Sequence, residues 1–152
     1  MRLVIGSDHG GLELKGAVIR MLRDRGEQVD DLGTDNDDSV DYPDFALKVA
    51  GAVSRGEADA GLLVCGTGIG MSIVANKFPG VRAALATDEY MARMAKEHNN
   101  ANILVLGGRV LDVERAGRMV ATWFDAAYEG GRHQRRLDKI AAIEADVRAG
   151  RI

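Results

Sequence analysis

Residues 60–72 read AGLLVCGTGIGMS: a run of apolar and small residues ends in a cysteine, and a turn with three glycines follows. The apolar run predicts a buried strand, and the glycine turn predicts that the chain bends from this strand into a helix. Gly66, Gly68 and Gly70 allow successive backbone N–H groups to point into one concavity, which suits a phosphate or a developing oxyanion. Cys65 stands at the head of this turn and is the only cysteine of the chain.

Strand-like and helix-like segments alternate along the rest of the chain. Besides 60–65, strands are predicted at residues 2–6, 28–33, 81–86 and 102–107, and helices at 11–26, 43–56, 88–99, 112–128 and about 134–148. Alternating strands and helices build a parallel sheet with helices on both faces. The prediction for residues 1–152 is therefore a single α/β domain: a three-layer α/β/α, Rossmann-like sandwich with a five-stranded parallel sheet and a C-terminal helix.

Composition excludes several classes of protein. The 152 residues are 46% hydrophobic and 28% charged, with a net charge of −3, which is typical of a globular protein in water and unfavourable for nucleic-acid binding. The longest apolar runs fall well short of the ~18 residues that a membrane span needs. We expect no signal peptide, no membrane partner and no internal disulfide. A single cysteine fits the reducing cytoplasm, which is the predicted location.

Polar or glycine-rich turns follow three of the predicted strands. Asp8 and His9 follow the first strand, the CGTGIG turn follows the third, and Arg109 follows the fifth. Each turn alone is more typical of an ordinary strand-to-helix connection. Ligands of parallel sheets bind outside the carboxyl ends of the strands, so three such turns on one edge indicate a site.

The glycine turn and its cysteine have competing interpretations. The turn could belong to a dinucleotide site, since Asp88 follows a later strand near the distance of a ribose-binding acid. Its spacing is G-x-G-x-G, however, and Met71 stands where the G-x-G-x-x-G pattern needs its third glycine; this interpretation is disfavoured. Cys65 could be a small buried hydrophobic residue or a thiolate stabilised by nearby N–H dipoles.

The three histidines favour a functional site. His9, His98 and His133 each lie at an element boundary within a polar cluster, whereas a core histidine would more often lie on an apolar face. No pair has a zinc-type spacing such as H-E-x-x-H, so a metal site would have to assemble from distant positions. We predict a site with no metal and no cofactor.

The segment GGRHQRR, residues 130–136, is basic in an otherwise mildly acidic protein. Arg132 and Arg136 are four residues apart and share one face of a helix, where two guanidinium groups can bind a phosphate dianion. The alternative is a solvated basic helix end. Such a compact patch suggests a small anion as the partner.

Residues 30–44 hold seven aspartates. An EF-hand loop beginning at Asp35 would need glycine at its sixth position and glutamate at its twelfth. Val40 and Ala46 occupy those positions, so a solvated acidic loop is predicted instead.

Taken together, these clusters resemble the ribose-5-phosphate isomerase B family, with its galactose-6-phosphate and allose-6-phosphate isomerase relatives. The resemblance covers nearly the whole chain and rests on six motifs in order: GSDHGG (6–11), DYPD (41–44), CGTGIGMSIVANK (65–77), HNNANIL (98–104), GGR (107–109) and YEGGRHQRR (128–136). It implies an aldose–ketose isomerase of the pentose phosphate pathway that binds a sugar phosphate and needs no metal or nucleotide.

The resemblance also implies a role for each site residue. Cys65 would remove the C2 proton of the open-chain sugar, and the N–H groups of the glycine turn would stabilise the enediolate. Thr67 and His98 would help to open the furanose ring. Asp8 is also expected to be a catalytic residue. The implied substrate-binding residues are Asp8, Tyr42 and Asn99 at the sugar hydroxyls; Gly66, Thr67, Gly68, Ile69 and Gly70 in the turn; and Arg132, Arg136, His9 and Arg109 at the phosphate.

One variation within the family bears on the base. Some members replace the cysteine and use a glutamate just after the glycine turn. Here Met71 stands at that position, and no acidic residue occurs from Cys65 to Lys77. Cys65 is therefore the only candidate base on this turn.

The order of the motifs further predicts a shared site. His98 precedes the fifth strand and lies at its amino end, whereas Cys65 lies at the carboxyl end of the third, and a short strand spans ~15 Å. We expect a homodimer, or a dimer of such dimers, in which His98 and Asn99 complete the neighbouring subunit's site.

Two alternative functions remain. An isomerase of six-carbon sugar phosphates would use the same mechanism with a longer pocket. A non-catalytic phosphosugar or nucleotide sensor on the same fold would bind its ligand without turnover.

Overall fold

The computed structural model describes residues 1–152. Its five strands are β1 (Leu3–Ser7), β2 (Val29–Asp31), β3 (Ala60–Cys65), β4 (Ala83–Leu85) and β5 (Ile103–Gly107). Its six α-helices are α1 (Leu12–Asp24), α2 (Tyr42–Ser54), α3 (Ile69–Ala75), α4 (Glu89–Glu97), α5 (Val113–Asp125) and α6 (Arg132–Arg148), and a short 3-10 turn covers His9–Gly11.

The strands form one parallel sheet in the order β2-β1-β3-β5-β4. Ser7 pairs with Val64, and Cys65 pairs with Gly107. The carboxyl ends of β1, β3 and β5 are therefore level with one another. This confirms the predicted five-stranded parallel sheet and brings the three candidate turns to one edge.

Helices cover both faces of the sheet, which confirms the predicted three layers. One face packs against α1, α4 and α5, and the other packs against α2 and α3. Alternation along β3 explains this arrangement, because Leu62 and Val64 belong to the first core, and Leu63 and Cys65 to the second. Since β1 leads into a helix on one face and β3 into a helix on the other, a crevice opens between their carboxyl ends.

The predicted edge strands are too long. Strand β2 covers Val29–Asp31 rather than 28–33, and β4 covers Ala83–Leu85 rather than 81–86. Each has a single strand neighbour, so its length depends on how far that neighbour offers hydrogen-bonding partners. Strand β3 has partners on both sides and matches its predicted bounds.

Helix α6 lies outside the three layers and runs along the loops at the amino edge of the sheet. Its Glu144 carboxylate accepts a hydrogen bond from the N–H of Gly80, in the loop before β4. Ile140 lines a shallow cavity with Arg82 and Asn99, which belong to the loops before β4 and β5. The helix begins at Arg132, two residues before its predicted start. None of the helices is both long and apolar enough to cross a membrane.

Candidate active site

Cys65 ends β3 with its side chain buried, and its sulfur accepts a hydrogen bond from the N–H of Gly68 at 3.2 Å. Gly68 has a φ of +82° and stands just before α3. A Cβ atom at this position would lie 2.5 Å from Leu85 Cδ1 and 3.2 Å from the Leu106 carbonyl oxygen. Backbone conformation and space therefore both require glycine here. The turn therefore places a backbone N–H donor beside the sulfur.

Asp8 lies beside this turn and is 8% exposed. Its backbone N–H donates to the Val64 carbonyl oxygen, one residue before Cys65. Its carboxylate accepts the N–H of Gly11 at 3.1 Å and caps the 3-10 turn. This capping role was not predicted from the sequence, and it holds the carboxylate at the edge where β1 and β3 end.

Arg109 joins the same edge from β5. Its backbone N–H donates to the Gly66 carbonyl oxygen at 2.9 Å. The N–H of Gly108 donates to the Cys65 carbonyl oxygen at 2.7 Å. A Cβ atom on Gly10 or Gly66 would lie 3.4 or 3.3 Å from a guanidinium nitrogen of Arg109. The guanidinium group therefore lies against both turns, and the three predicted turns form one cluster.

His9 lies beside this cluster and shares a cavity with Arg109. Nδ1 of His9 accepts the Val40 N–H at 3.2 Å, which leaves Nε2 as its other ring nitrogen for a ligand. His9 and Arg109 line one cavity of about 530 Å³, together with Glu13 and Asp112. The guanidinium and imidazole groups that line this cavity can bind an anion, although the two carboxylates restrict where it can lie.

Tyr42 lies over the glycine turn. A Cβ atom on Gly70 would be 2.5 Å from Cζ of its ring and 3.0 Å from its hydroxyl oxygen. Within the turn, Thr67 is exposed, and its Oγ1 accepts the N–H of Ile69 at 3.3 Å. The first residue of α2 and the turn after β3 thus contact each other directly.

Sequence reasoning missed Lys15, which holds the acidic segment in place. Lys15 is 2% exposed, and its Nζ lies 2.6 Å from Asp31 Oδ1 and donates to the Thr34 carbonyl oxygen. Residues 35–39 are exposed, as predicted for a solvated loop. The loop carries Val40 and Tyr42 to the site, so its anchoring matters for the site as well. A lysine beside core residues of an amphipathic helix gives no sequence signal of burial.

A second cluster of predicted residues lies at the opposite, amino edge of the sheet. His98 directly follows α4, and its ring stacks on that of His133, with centroids 4.1 Å apart and planes 13° from parallel. Because His133 lies in the first turn of α6, this stack brings Arg132 and Arg136 to the same edge. Both arginines are exposed on α6, as is Asn99 next to His98.

The two clusters are separated by the length of the sheet. Gly61 pairs with Ile103 at one end of the β3–β5 ladder and Cys65 pairs with Gly107 at the other, a distance of about 13 Å along the strands. His98 precedes Ile103 and therefore lies beyond the far end. Within one chain, the structure brings together Asp8, His9, Tyr42, the turn from Cys65 to Gly70 and Arg109, and separately His98, Asn99, Arg132 and Arg136.

The structure does not support Asp88 as the ribose-binding acid of a dinucleotide site. The Asp88 carboxylate caps α4 by accepting the Met91 N–H at 2.7 Å. Strand β4, which precedes Asp88, is separated from β3 by β5. A ribose-binding acid follows a strand next to the one that carries the glycine turn, so Asp88 is a helix cap here.

Comparisons with known proteins find relatives that are similar over nearly the whole chain. The family model for ribose/galactose isomerases matches residues 3–140. Ribose-5-phosphate isomerase B of Escherichia coli K12 is 46% identical over 143 residues, which cover 94% of this chain and 96% of that protein.

Solved structures are similar over the same length. The structure of Clostridium thermocellum ribose-5-phosphate isomerase B matches with a TM-score of 0.95 and 54% identity, covering 97% of this chain and 99% of that one. The Mycoplasma genitalium ribose-5-phosphate isomerase B, solved with bound ribulose-5-phosphate, matches with a TM-score of 0.92 and 43% identity, covering 95% and 97%. The match in sequence and fold extends over nearly the whole chain, and the chain therefore belongs to the ribose/galactose isomerase family.

Proposed function

We propose that this protein is an aldose–ketose isomerase that interconverts D-ribose 5-phosphate and D-ribulose 5-phosphate. The observation that carries the proposal is the hydrogen bond from the Gly68 N–H to the Cys65 sulfur, beside the Asp8 carboxylate and the Arg109 guanidinium group. Relatives named ribose-5-phosphate isomerase, one of them with ribulose-5-phosphate bound, support the choice of substrate.

In the proposed reaction, the Cys65 thiolate takes the proton from C2 of the open-chain aldose. The electron pair of that C–H bond forms the C1–C2 double bond, and the carbonyl electrons move to the C1 oxygen to give an enediolate. Backbone N–H groups from Gly66 to Gly70 stabilise this negative charge. The C2 hydroxyl passes its proton to the C1 oxygen. The electron pair left on the C2 oxygen then forms the ketone, while the double-bond electrons take the proton back from Cys65 at C1. Cys65 takes and returns the carbon-bound proton, and the hydroxyl proton moves within the substrate, so these steps call for no metal or nucleotide.

Phosphate binding and ring opening require the second cluster. Arg132 and Arg136 would bind the phosphate with His9 and Arg109, and His98 with Thr67 would open the furanose ring. Asn99, Asp8 and Tyr42 would contact the sugar hydroxyls.

We further propose a homodimer in which the amino-edge cluster of one subunit completes the carboxyl-edge cluster of the other. The separation of the two clusters within one chain supports this assembly. Exposed apolar side chains on two helices support it too, since Ile69 and Ile73 on α3 and Ile143 and Val147 on α6 are each more than half exposed. A second copy would remove such residues from water. The free Cys65 thiol that the reaction needs favours the reducing cytoplasm as its location.

An isomerase assay in the presence of EDTA tests the function, with ribose 5-phosphate and allose 6-phosphate compared side by side. Turnover that strongly prefers the pentose is expected. Turnover of the hexose alone would keep the mechanism and replace the substrate. If neither sugar turns over while ribose 5-phosphate still binds, the chain is a binding module and the proposed reaction is wrong.

A further inference from the structure

His98, Glu129 and His133 bring three potential metal ligands together at the amino edge. Oε2 of Glu129 lies 3.4 Å from Nε2 of His133 and 3.9 Å from Nε2 of His98. One ligand atom from each residue lies within 4.8 Å of those of the other two. No lysine or arginine forms an ion pair with Glu129, whose carboxylate is half exposed and lies within 4 Å of both imidazoles.

The backbone holds these three residues next to one another. Glu129 lies in the connection between α5 and α6, and its N–H donates to the Glu97 carbonyl oxygen at 3.0 Å, at the end of α4. His98 follows Glu97 directly. The N–H of His133 donates to the Gly130 carbonyl oxygen at 3.0 Å, and its ring stacks on His98. Main-chain contacts thus hold the three residues next to one another.

The spacing is close to that of a zinc site. Zinc binds histidine nitrogen at about 2.0–2.1 Å and carboxylate oxygen at about 2.0–2.2 Å with tetrahedral geometry, which places neighbouring ligand atoms about 3.4 Å apart. The Glu129–His133 separation of 3.4 Å already fits this value, and the Glu129–His98 separation is 3.9 Å. Imidazole lone pairs lie in the ring plane, so those of two stacked rings run side by side. Binding one ion therefore requires the more exposed His98 ring to rotate out of the stack.

The site is also accessible on one side. The His133 side chain is almost fully buried, at 6% exposure, whereas those of His98 and Glu129 are 35% and 54% exposed. A metal ion can therefore enter from solvent and keep a water molecule as its fourth ligand. Two histidines and one carboxylate with an open position are a common zinc ligand set.

We propose that His98, Glu129 and His133 bind a transition-metal dication, with Zn²⁺ as the best fit, and that the bound metal inhibits the isomerase. A histidine nitrogen whose lone pair binds zinc cannot carry a proton. The bound metal would therefore prevent Nε2 of His98 from taking part in the proton transfers of ring opening. The inhibition rests on the role of His98 in the proposed function, whereas the binding of the metal does not.

Isothermal titration calorimetry of the EDTA-stripped and desalted protein with Zn²⁺ tests the binding. One zinc ion per chain is expected. Glu129→Gln and His133→Ala should each weaken the affinity at least about tenfold, because each removes a direct ligand. Glu97→Gln is the matched control, since it neutralises a neighbouring acid outside the ligand set. Cys65→Ser is the second control, since a free thiol can bind zinc by itself.

Two calorimetric results would overturn the proposal. One is the absence of zinc binding to the wild-type protein. The other is binding that Cys65→Ser abolishes and Glu129→Gln leaves unchanged, which would place the metal on the thiol. Neither result depends on isomerase turnover, so a failure of the metal site can be distinguished from a failure of the proposed function.

Turnover of ribose 5-phosphate in buffered Zn²⁺ then tests the inhibition, with each variant compared with its own rate in EDTA. Zinc should inhibit the wild type and Glu97→Gln alike. Glu129→Gln should need at least about ten times more zinc for the same inhibition. Zinc that binds at the three residues without lowering the rate would overturn the inhibitory part of the proposal.

Discussion

The backbone N–H of Gly68 donates a hydrogen bond to Sγ of Cys65 across 3.2 Å, within a turn that closes directly after β3. A thiolate at Cys65 would accept this N–H as a charge-assisted hydrogen bond. The same turn offers further N–H groups where the enediolate charge would develop. The proposed base and the proposed oxyanion site are thus built from one short segment of chain.

The first prediction concerns this base. Cys65→Ala should lower kcat at least about 10³-fold, because no other side chain of the turn can take the C2 proton. The KM should change little, since the phosphate contacts remain. Steady-state kinetics with ribose 5-phosphate measure both quantities, and circular dichroism checks the fold. A kcat within tenfold of the wild type would show that Cys65 is not the base.

The second prediction concerns Gly68. A Cβ atom there would lie 2.5 Å from Leu85 Cδ1, and the backbone φ of +82° is unfavourable for any residue with a side chain. Gly68→Ala should therefore reduce both the free energy of unfolding and kcat. Gly80→Ala is the matched control, since Gly80 has a φ of +73° and open space around it.

The control variant should lose about 1 kcal/mol of unfolding free energy from backbone strain alone, without loss of kcat. Urea denaturation followed by circular dichroism compares the two variants. Equal losses of stability together with unchanged kcat in both would contradict a special requirement for glycine at position 68.

The third prediction concerns the phosphate. Arg132→Ala and Arg136→Ala should each raise the KM for ribose 5-phosphate by about 10- to 100-fold, the size expected for a lost charge-assisted pair. The kcat should fall much less. Arg135→Ala is the matched control, because Arg135 lies between the two on α6 and is also exposed. An equal rise in KM for all three variants would indicate general charge attraction instead of a defined phosphate site.

The fourth prediction concerns the division of the site between subunits. Cys65→Ala and His98→Ala chains are each expected to be nearly inactive alone. Co-refolding equal amounts should restore about a quarter of the wild-type rate, since half of the dimers are mixed and each mixed dimer has one intact site of two. A coupled isomerase assay on the refolded mixture measures the recovery. No recovery, with mixed dimers shown to form by mass spectrometry, would place the whole site within one chain.

Local patterns predicted the central elements well and the edges less well. Strand β3 was predicted at its observed bounds, Ala60–Cys65, because apolar residues and a glycine turn delimit it and strands pair with it on both sides. Strands β2 and β4 were predicted too long because the length of an edge strand depends on its single neighbour. The strand order was not predicted, since alternating elements are compatible with several orders.

The site was predicted as a set of residues but not as an arrangement. The sequence did not predict the pairing of Lys15 with Asp31, because a lysine on a helix is normally solvated. The predicted phosphate residues were treated as one group, whereas the structure places Arg132 and Arg136 at the edge opposite to His9 and Arg109. Helix α6 decides this, because the stack of His133 on His98 directs its first turn to the amino edge.

The sequence by itself determined the α/β class, the glycine turn after the third strand and the identity of the candidate base, because strand periodicity, glycine conformations and thiol chemistry are local properties of the chain. Only the tertiary structure decided which of these residues meet. Contacts such as that between His98, Glu129 and His133 join segments that are distant along the chain, and they arise from the packing of helices and loops around the sheet, which no local pattern encodes.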